Sequence, residues 1–193
     1  MSEQIYKQQD ELAKLIERHT GQDGIHTTVI PSLFFSRHST VTGPNHGVHN
    51  PSLCIVVQGE KQVWLAQEHF TYGPADYLVA SVDLPVIAQI TKATYDVPYL
   101  ALKLEFRPGQ ILELLSDSEI QVGLKENTKR AMFVSPMELC MLDAVIRLVC
   151  LLDNPKDIPV LAPIYTKEIL YRVLQGQHGG ILKQMAIEGS YTY

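Results

Sequence analysis

Residues 49–78 read HNPSLCIVVQGEKQVWLAQEHFTYGPADYL, and this stretch decides the fold. It contains short apolar runs rich in β-branched and aromatic residues, which are interrupted by the turn-forming sequences QGEK and YGPAD. Runs of the same kind recur between residues 26 and 106. Many short strands at this spacing predict a β-barrel or a double-sheet jelly roll rather than a parallel α/β sheet. The predicted strands are HTTVI, LFFSRH, SLCIVVQ, KQVWLAQ, HFTYG, YLVASV, PVIAQIT and YLALKLEF.

Helical patterns lie on both sides of this β-rich region. The first segment predicts a short amphipathic helix that ends at Gly21. Beyond the strands, GQILELLSD predicts a short helix, and Ser135 and Pro136 predict the start of a longer one. A third helical segment, LAPIYTKEILYRVLQG, follows, and a further helical start reaches the end of the sequence. The predicted units are an N-terminal helix, a barrel and a helical region, at residues 1–20, 21–107 and 108–193.

The composition limits the class of protein. The chain has 193 residues, of which 46% are hydrophobic and 19% are charged, as is typical of one soluble globular domain. No apolar run approaches the roughly 20 residues of a membrane helix, and the N-terminus is too polar for a secretory signal. We therefore predict a cytoplasmic protein with no membrane partner, whose three cysteines are reduced.

The charge balance argues against nucleic-acid binding by these residues. Sixteen basic residues face 21 acidic ones, the net charge is −5, and no run of basic residues occurs. A surface that binds phosphate groups needs local positive charge. The sequence therefore predicts that this stretch of polypeptide does not itself bind DNA.

A small β-barrel can hold a catalytic metal, and the histidines are the candidate ligands. Such a site needs two histidines on alternate residues of a strand, a nearby carboxylate and a third histidine from a later strand. Here Pro51 stands two residues after His49, and the next acid is Glu60. His46 and His49 could hold a metal as a pair, but they fall in a predicted loop with no third ligand in evidence. We predict no metal, no cofactor and no catalytic residue.

The parity of the strand residues gives two faces in each strand. In YLALKLEF, Leu100, Leu102 and Leu104 share one face, and Lys103 lies on the other, as in a half-solvated strand. In KQVWLAQ, Trp64 lies opposite the apolar residues of its strand. Trp64 is therefore either a rim residue that covers the sheet or the stacking wall of a ligand pocket.

The helix predicted from Pro136 to Leu152 has more apolar surface than one contact needs. Two adjacent apolar stripes run along it, whereas a helix on one side of a domain needs only about a third of its circumference apolar. The helix is either sandwiched inside one chain or shared between the barrel and a second subunit. The residues predicted for the dimer interface are Met141, Ala144, Val145, Leu148, Val149 and Leu152.

Four segments carry a family resemblance. PSLCIVVQGEKQVW, YLVASVDLPVIAQI, PYLALKLEF and EILYRVLQGQHGGILKQMA resemble the N-terminal regulatory domain of AraC-type bacterial transcriptional regulators. The resemblance implies a cupin-like double-stranded β-barrel, or jelly roll, that senses an effector and lacks a catalytic metal. It also implies a helical dimerisation and linker region, a homodimer, and promoter binding through a helix-turn-helix domain absent from this chain.

The resulting prediction is an effector-sensing and dimerisation domain, with a metal-dependent cupin enzyme acting on a small organic substrate as the alternative. A small organic effector is expected inside the barrel, and no motif identifies its chemistry. The candidate ligand-binding residues are His49, Trp64, Tyr77, Ser81 and Gln89.

Overall fold

The computed structural model describes residues 2–117 and 130–190. Within these residues the chain forms ten strands and five α-helices, and none of the helices is long and apolar enough to cross a membrane. The helices are α1 (Glu3–Thr20), α2 (Pro108–Asp117), α3 (Leu139–Cys150), α4 (Ile158–Gln175) and α5 (Gly179–Ser190). The strands are β1 (Gly24–Thr27), β2 (Leu33–His38), β3 (Asn45–His49), β4 (Ser52–Gln58), β5 (Glu60–Leu65), β6 (Glu68–Tyr72), β7 (Asp76–Ala80), β8 (Leu84–Lys92), β9 (Tyr99–Glu105) and β10 (Met132–Pro136).

The strands form two antiparallel sheets. The six-stranded sheet has the order β1-β2-β9-β4-β7-β10, and the four-stranded sheet has the order β3-β8-β5-β6. The prediction of a mainly β chain with C-terminal helices is confirmed. The closed cupin-like barrel stays a prediction.

Both faces of the six-stranded sheet are covered. On β9, Leu100, Leu102 and Leu104 belong to a core shared with the helices, whereas Tyr99 and Ala101 belong to a second core between the two sheets. Alternate side chains of a strand point to opposite faces, so one strand serves both cores. This explains why β4, with the sequence SLCIVVQ, is buried along almost its whole length.

A tight corner carries the chain from one sheet to the other. Gly59 separates β4 from β5 and has a φ angle of +87°, a conformation that L side chains rarely adopt. A Cβ atom at this position would also collide with the carbonyl oxygen of Lys92. The turn-forming character of QGEK is therefore confirmed, and Gly59 is its essential residue.

Two strands lie where the sequence analysis expected other structure. Residues 45–49, predicted as a loop, form β3, which pairs with β8 at the edge of the four-stranded sheet. Ser135 and Pro136, predicted as a helix start, end β10 at the edge of the six-stranded sheet. Proline is tolerated on an edge strand because no neighbour requires its missing N–H group. The following helix begins at Leu139.

Helix α3 is enclosed by its own chain. The six residues predicted for the dimer interface are at most 9% exposed, and all six belong to the same buried core as residues of α1, α4 and the six-stranded sheet. These side chains are therefore not exposed on the surface of the single chain, and their place in a dimer interface stays a prediction. The sandwiched alternative accounts for both apolar stripes. The residues concerned are Met141, Ala144, Val145, Leu148, Val149 and Leu152.

The predicted division into 1–20, 21–107 and 108–193 stays a prediction, although two packing features cross it. Leu12 and Ile16 of α1 enter the helix–sheet core, and the predicted helix does end at Gly21. Strand β10 joins the sheet from within the predicted helical region. Parts of that region, residues 118–129 and 191–193, lie outside the described residues.

We expect both Leu148→Glu and Val149→Glu to unfold the domain rather than to separate two folded subunits. Both positions are at most 1% exposed within one chain, and a buried carboxylate without a partner is strongly unfavourable. Circular dichroism during urea unfolding measures the effect. The control is Asp143→Glu, which keeps an acid on the exposed side of α3. A folded monomeric Leu148→Glu variant beside a dimeric wild type would contradict the enclosed position of α3.

Candidate ligand-binding cavity

A cavity of about 270 Å³ lies between the two sheets. Ligand cavities typically measure about 300–1,000 Å³, so this one suits a small molecule. Its walls come from the inward faces of strands of both sheets. The lining residues are Ile25, Phe34, Phe35, Ser36, Asn45, His46, Gly47, Val48, His49, Cys54, Lys61, Tyr72, Val86, Ala88, Tyr99, Ala101, Leu102 and Lys103.

Lys61 enters the cavity from β5. Its register partners are Tyr72 on β6 and Ile90 on β8. It shares the inward parity of Val63, which is fully buried between the sheets. Desolvation lowers the pKa of the Lys61 ammonium group, and the positive charge of Lys103 acts in the same direction.

Lys103 contributes a second cation from β9. Its ammonium nitrogen lies 3.1 Å from Oε1 of Glu105 and 5.2 Å from the ring centre of Phe34. The same Glu105 oxygen accepts a hydrogen bond from Nδ2 of Asn50 at 3.3 Å. Lys103 is therefore held by an anion and by an aromatic ring, whereas Lys61 has no such support.

His49 lies at the end of β3 and lines the same cavity. Its Nδ1 atom is buried and has no hydrogen-bond partner among the described residues. Burial lowers the pKa of His49 to about 4, with further contributions from the charges of Lys61 and Lys103. At neutral pH the imidazole is therefore uncharged, and one ring nitrogen can accept a hydrogen bond.

The other titratable side chains that line the cavity are also buried. Burial raises the pKa of the Cys54 thiol and of the Tyr72 and Tyr99 phenols above their ordinary values. These groups stay protonated at neutral pH, so Cys54 is not an activated nucleophile. The arrangement can hold a small molecule through apolar contacts and a few polar groups, as ligand sites do.

Metal binding finds no support in the cavity geometry. Among residues 2–117 and 130–190, no group of three or more His, Cys, Asp or Glu side chains is placed to hold a metal ion. His46 and His49 both line the cavity, but they lie three residues apart on β3 and so have opposite parity.

Of the five candidate ligand-binding residues, His49 alone lines the cavity. Trp64 and Gln89 have the opposite parity to Val63 and Ala88, which places them on the outer face of the four-stranded sheet. There Trp64 stacks on His69 with ring centres 4.8 Å apart. The rim alternative for Trp64 therefore fits its position, and the predicted ligand roles of Trp64 and Gln89 stay predictions that this cavity does not support.

Tyr77 and Ser81 are also buried, but they lie outside the cavity. Tyr77 faces the helices, and its hydroxyl group lies beside Gly176, the C-cap of α4. Ser81 follows β7, and its hydroxyl donates a hydrogen bond of 2.8 Å to the carbonyl oxygen of Ala131. Neither residue lines the cavity, and their predicted ligand roles stay predictions that this cavity does not support.

Sequence reasoning missed Lys61, Lys103, Tyr72 and Tyr99. The signal was present in the strand parity, because Lys61 shares the face of Val63 and Leu65. A lysine on the apolar face of a strand indicates either a solvated edge or a charged group directed into an interior. Strand parity alone does not distinguish the two, because the second sheet that covers this face is formed by other strands.

A larger groove of about 580 Å³ lies elsewhere, between the start of α4 and the ends of strands. Its lining includes Glu105, Arg107 and Ala162. It is an open surface feature, and none of its lining side chains has a buried polar atom without a partner among the described residues. The cavity between the sheets, which contains the buried Nδ1 atom of His49, is therefore the stronger candidate site.

Comparisons with known proteins give a family and a fold. Residues 29–181 match the family described as AraC-type transcriptional regulator N-terminus. No curated protein matches the sequence. Two solved structures of ToxT from Vibrio cholerae strain SCE256 have a similar fold.

The apo ToxT variant has a TM-score of 0.52 at 8% identity, over 89% of this chain and 67% of that one. Wild-type ToxT with a bound unsaturated fatty acid has a TM-score of 0.51 at 9% identity, over 83% and 62%. The chain thus spans about two thirds of the ToxT structures, and at such identities the likeness concerns the fold alone. The family match covers most of the sequence, and the chain belongs to the AraC-type transcriptional regulator N-terminus family.

Proposed function

We propose that this chain is the effector-sensing domain of an AraC-type transcriptional regulator, and that a small organic effector binds between the two sheets. The observation that carries the proposal is the cavity between the sheets, whose titratable residues have pKa values displaced by burial. Such groups in a cavity mark a candidate functional site. The two facing sheets also support the predicted cupin-like barrel.

The six-stranded sheet offers a route from the cavity to the helices. Ala101 lines the cavity, and the neighbouring Leu102 and Leu100 pack in the helix–sheet core. A ligand that moves β9 therefore displaces residues in contact with the helical layer. In this proposal the helices pass the state of the cavity to the rest of the regulator.

The alternative of a metal-dependent cupin enzyme has less support. The family consists of transcriptional regulators, and the cavity thiol of Cys54 is not an activated nucleophile. The proposal therefore assigns the cavity to sensing.

The proposal also covers DNA binding and the cellular location of the protein. We infer that promoter DNA is contacted by a separate helix-turn-helix domain in the cytoplasm, because the net charge of −5 disfavours contact through this chain.

A homodimer also belongs to the proposal, through a different surface from the one first predicted. Helix α4 exposes apolar side chains at Val160, Ile164 and Tyr171, which are 66%, 54% and 38% exposed. Their spacing of four and seven residues places them on one side of the helix. A second copy of the chain is the proposed occupant, since regulators that resemble this chain typically read paired half-sites.

A thermal-shift screen tests effector binding. We expect at least one of a set of sugars, aldehydes, phenols and fatty acids to raise the melting temperature by about 5–10 °C at roughly a hundred times its Kd. Ala88→Leu, which places a larger side chain in the cavity wall, should remove this shift. The control is Gln89→Leu on the outer face. Equal loss in both variants, or a shift that survives Ala88→Leu, would contradict binding between the sheets.

Sedimentation analysis tests the dimer. We expect Ile164→Glu to raise the dimer Kd by about tenfold or more without unfolding the chain, because a carboxylate buried in an apolar contact loses its hydration. Val97→Glu, at a position 53% exposed in the loop before β9, is the control. A wild type that is monomeric at all concentrations, or a dimer indifferent to Ile164→Glu, rules out this surface.

A further inference from the structure

Lys61 carries a charge that nothing in the described structure balances. Among residues 2–117 and 130–190, its ammonium group forms neither an ion pair nor a hydrogen bond. The other cavity lysine, Lys103, is paired with Glu105. Removing a cation from water is costly unless an opposite charge or hydrogen bonds replace the lost hydration. Lys61 is partly buried, so the folded domain holds a cation that has lost part of its hydration without gaining a partner among the described residues.

The cavity as a whole is positive. Its lining contains two lysines and two histidines, and it contains no aspartate or glutamate. The protein carries 21 acidic residues and a net charge of −5, so this local excess runs against the overall charge balance. The titratable groups around Lys61 are His38, His49, Cys54, Tyr72, Tyr99 and Lys103. Glu105 is engaged by Lys103, and Glu60, next to Lys61 in the chain, is engaged by Lys92 and Thr91.

The rest of the cavity is apolar. Lys61 has Tyr72 as its register partner, and Val86, Ala88 and Tyr99 continue the wall. The buried Nδ1 atom of His49 lacks a partner and offers a further hydrogen-bonding position. A molecule that fills about 270 Å³ here would bury an apolar body and place one polar end among Lys61 and His49.

We propose that the effector is a small monocarboxylate with an apolar or aromatic body, whose carboxylate pairs with Lys61. This inference rests on the proposed function of the same cavity. The carboxylate supplies the negative charge that Lys61 lacks as a partner, and the apolar body replaces water along the walls. Charge-assisted hydrogen bonds between ammonium and carboxylate groups are among the stronger polar contacts in proteins.

Other ligand chemistries fit this environment less well. A sugar would leave the Lys61 charge unbalanced and would place hydroxyl groups against apolar walls. An amine would add a third cation near Lys61 and Lys103. A phosphate dianion would bring more charge into a dry cavity than one free lysine can balance.

Matched probes test the charge of the ligand. We would measure binding of trans-cinnamate and octanoate, and of the uncharged amides of both acids, by isothermal titration calorimetry. Each carboxylate is expected to bind about 10- to 100-fold more tightly than its amide, as a hydrogen bond to a charged group implies. The two members of each pair have nearly the same shape, so the comparison isolates the charge.

Variants of Lys61 test the residue. Lys61→Met should lose the preference for carboxylate over amide, and Lys61→Arg should retain it in part. The control is Lys92→Met, which removes a lysine at the exposed end of β8. Lys61→Met should also raise the melting temperature of the ligand-free protein, since it removes the unpaired cation. Lys61→Gln serves if Lys61→Met does not fold.

Three results would overturn the inference. The first is equal affinity for the carboxylates and their amides. The second is an undiminished carboxylate preference in Lys61→Met. The third is a failure of both carboxylates to bind up to their solubility limits. If neutral compounds still stabilise the wild type and Ala88→Leu abolishes that effect, the sensing function stands and only the assigned chemical class fails.

Discussion

The six-stranded sheet is covered on both faces, and the rest of the structure depends on this constraint. Strands β4 and β9 send alternate side chains into the helix–sheet core and into the space between the sheets. The leucines of β9 fill the helix–sheet core, whereas Ala101 borders the cavity between the sheets. A small side chain at that position leaves room for the cavity. The same strands thus determine how the helices pack and where a ligand can bind.

The free cation at Lys61 shows a balance between stability and function. Desolvation lowers its pKa, so the folded protein holds this proton less tightly than the unfolded chain does. By linkage, Lys61 lowers the free energy of unfolding while it stays charged, and the loss diminishes as the pH rises from its folded pKa towards its higher pKa in the unfolded chain. A residue that disfavours the empty fold and favours the occupied one couples ligand binding to the stability of the domain.

Much of the fold could be predicted because hydrophobic periodicity depends on local sequence. The parity of β9 and the helix end at Gly21 are examples. Strands β3 and β10 were not predicted from the sequence, because they lie on sheet edges, where pairing with a neighbour outweighs local propensity. The site was harder to predict, since its second wall comes from a sheet distant in sequence. His49, a predicted ligand-binding residue, lines the cavity, whereas Lys61 was not among the predicted residues.

Methyl NMR of alanine-labelled protein tests the central claim, that the effector binds between the sheets. The titration would use whichever compound most stabilises the wild type, and the spectra would follow Ala88 and Ala101 in the cavity and Ala162 in the larger groove. The account predicts saturable shifts at Ala88 and Ala101 with Ala162 nearly unchanged. Shifts at Ala162 while Ala88 and Ala101 stay constant would contradict it, because they would place the ligand against α4.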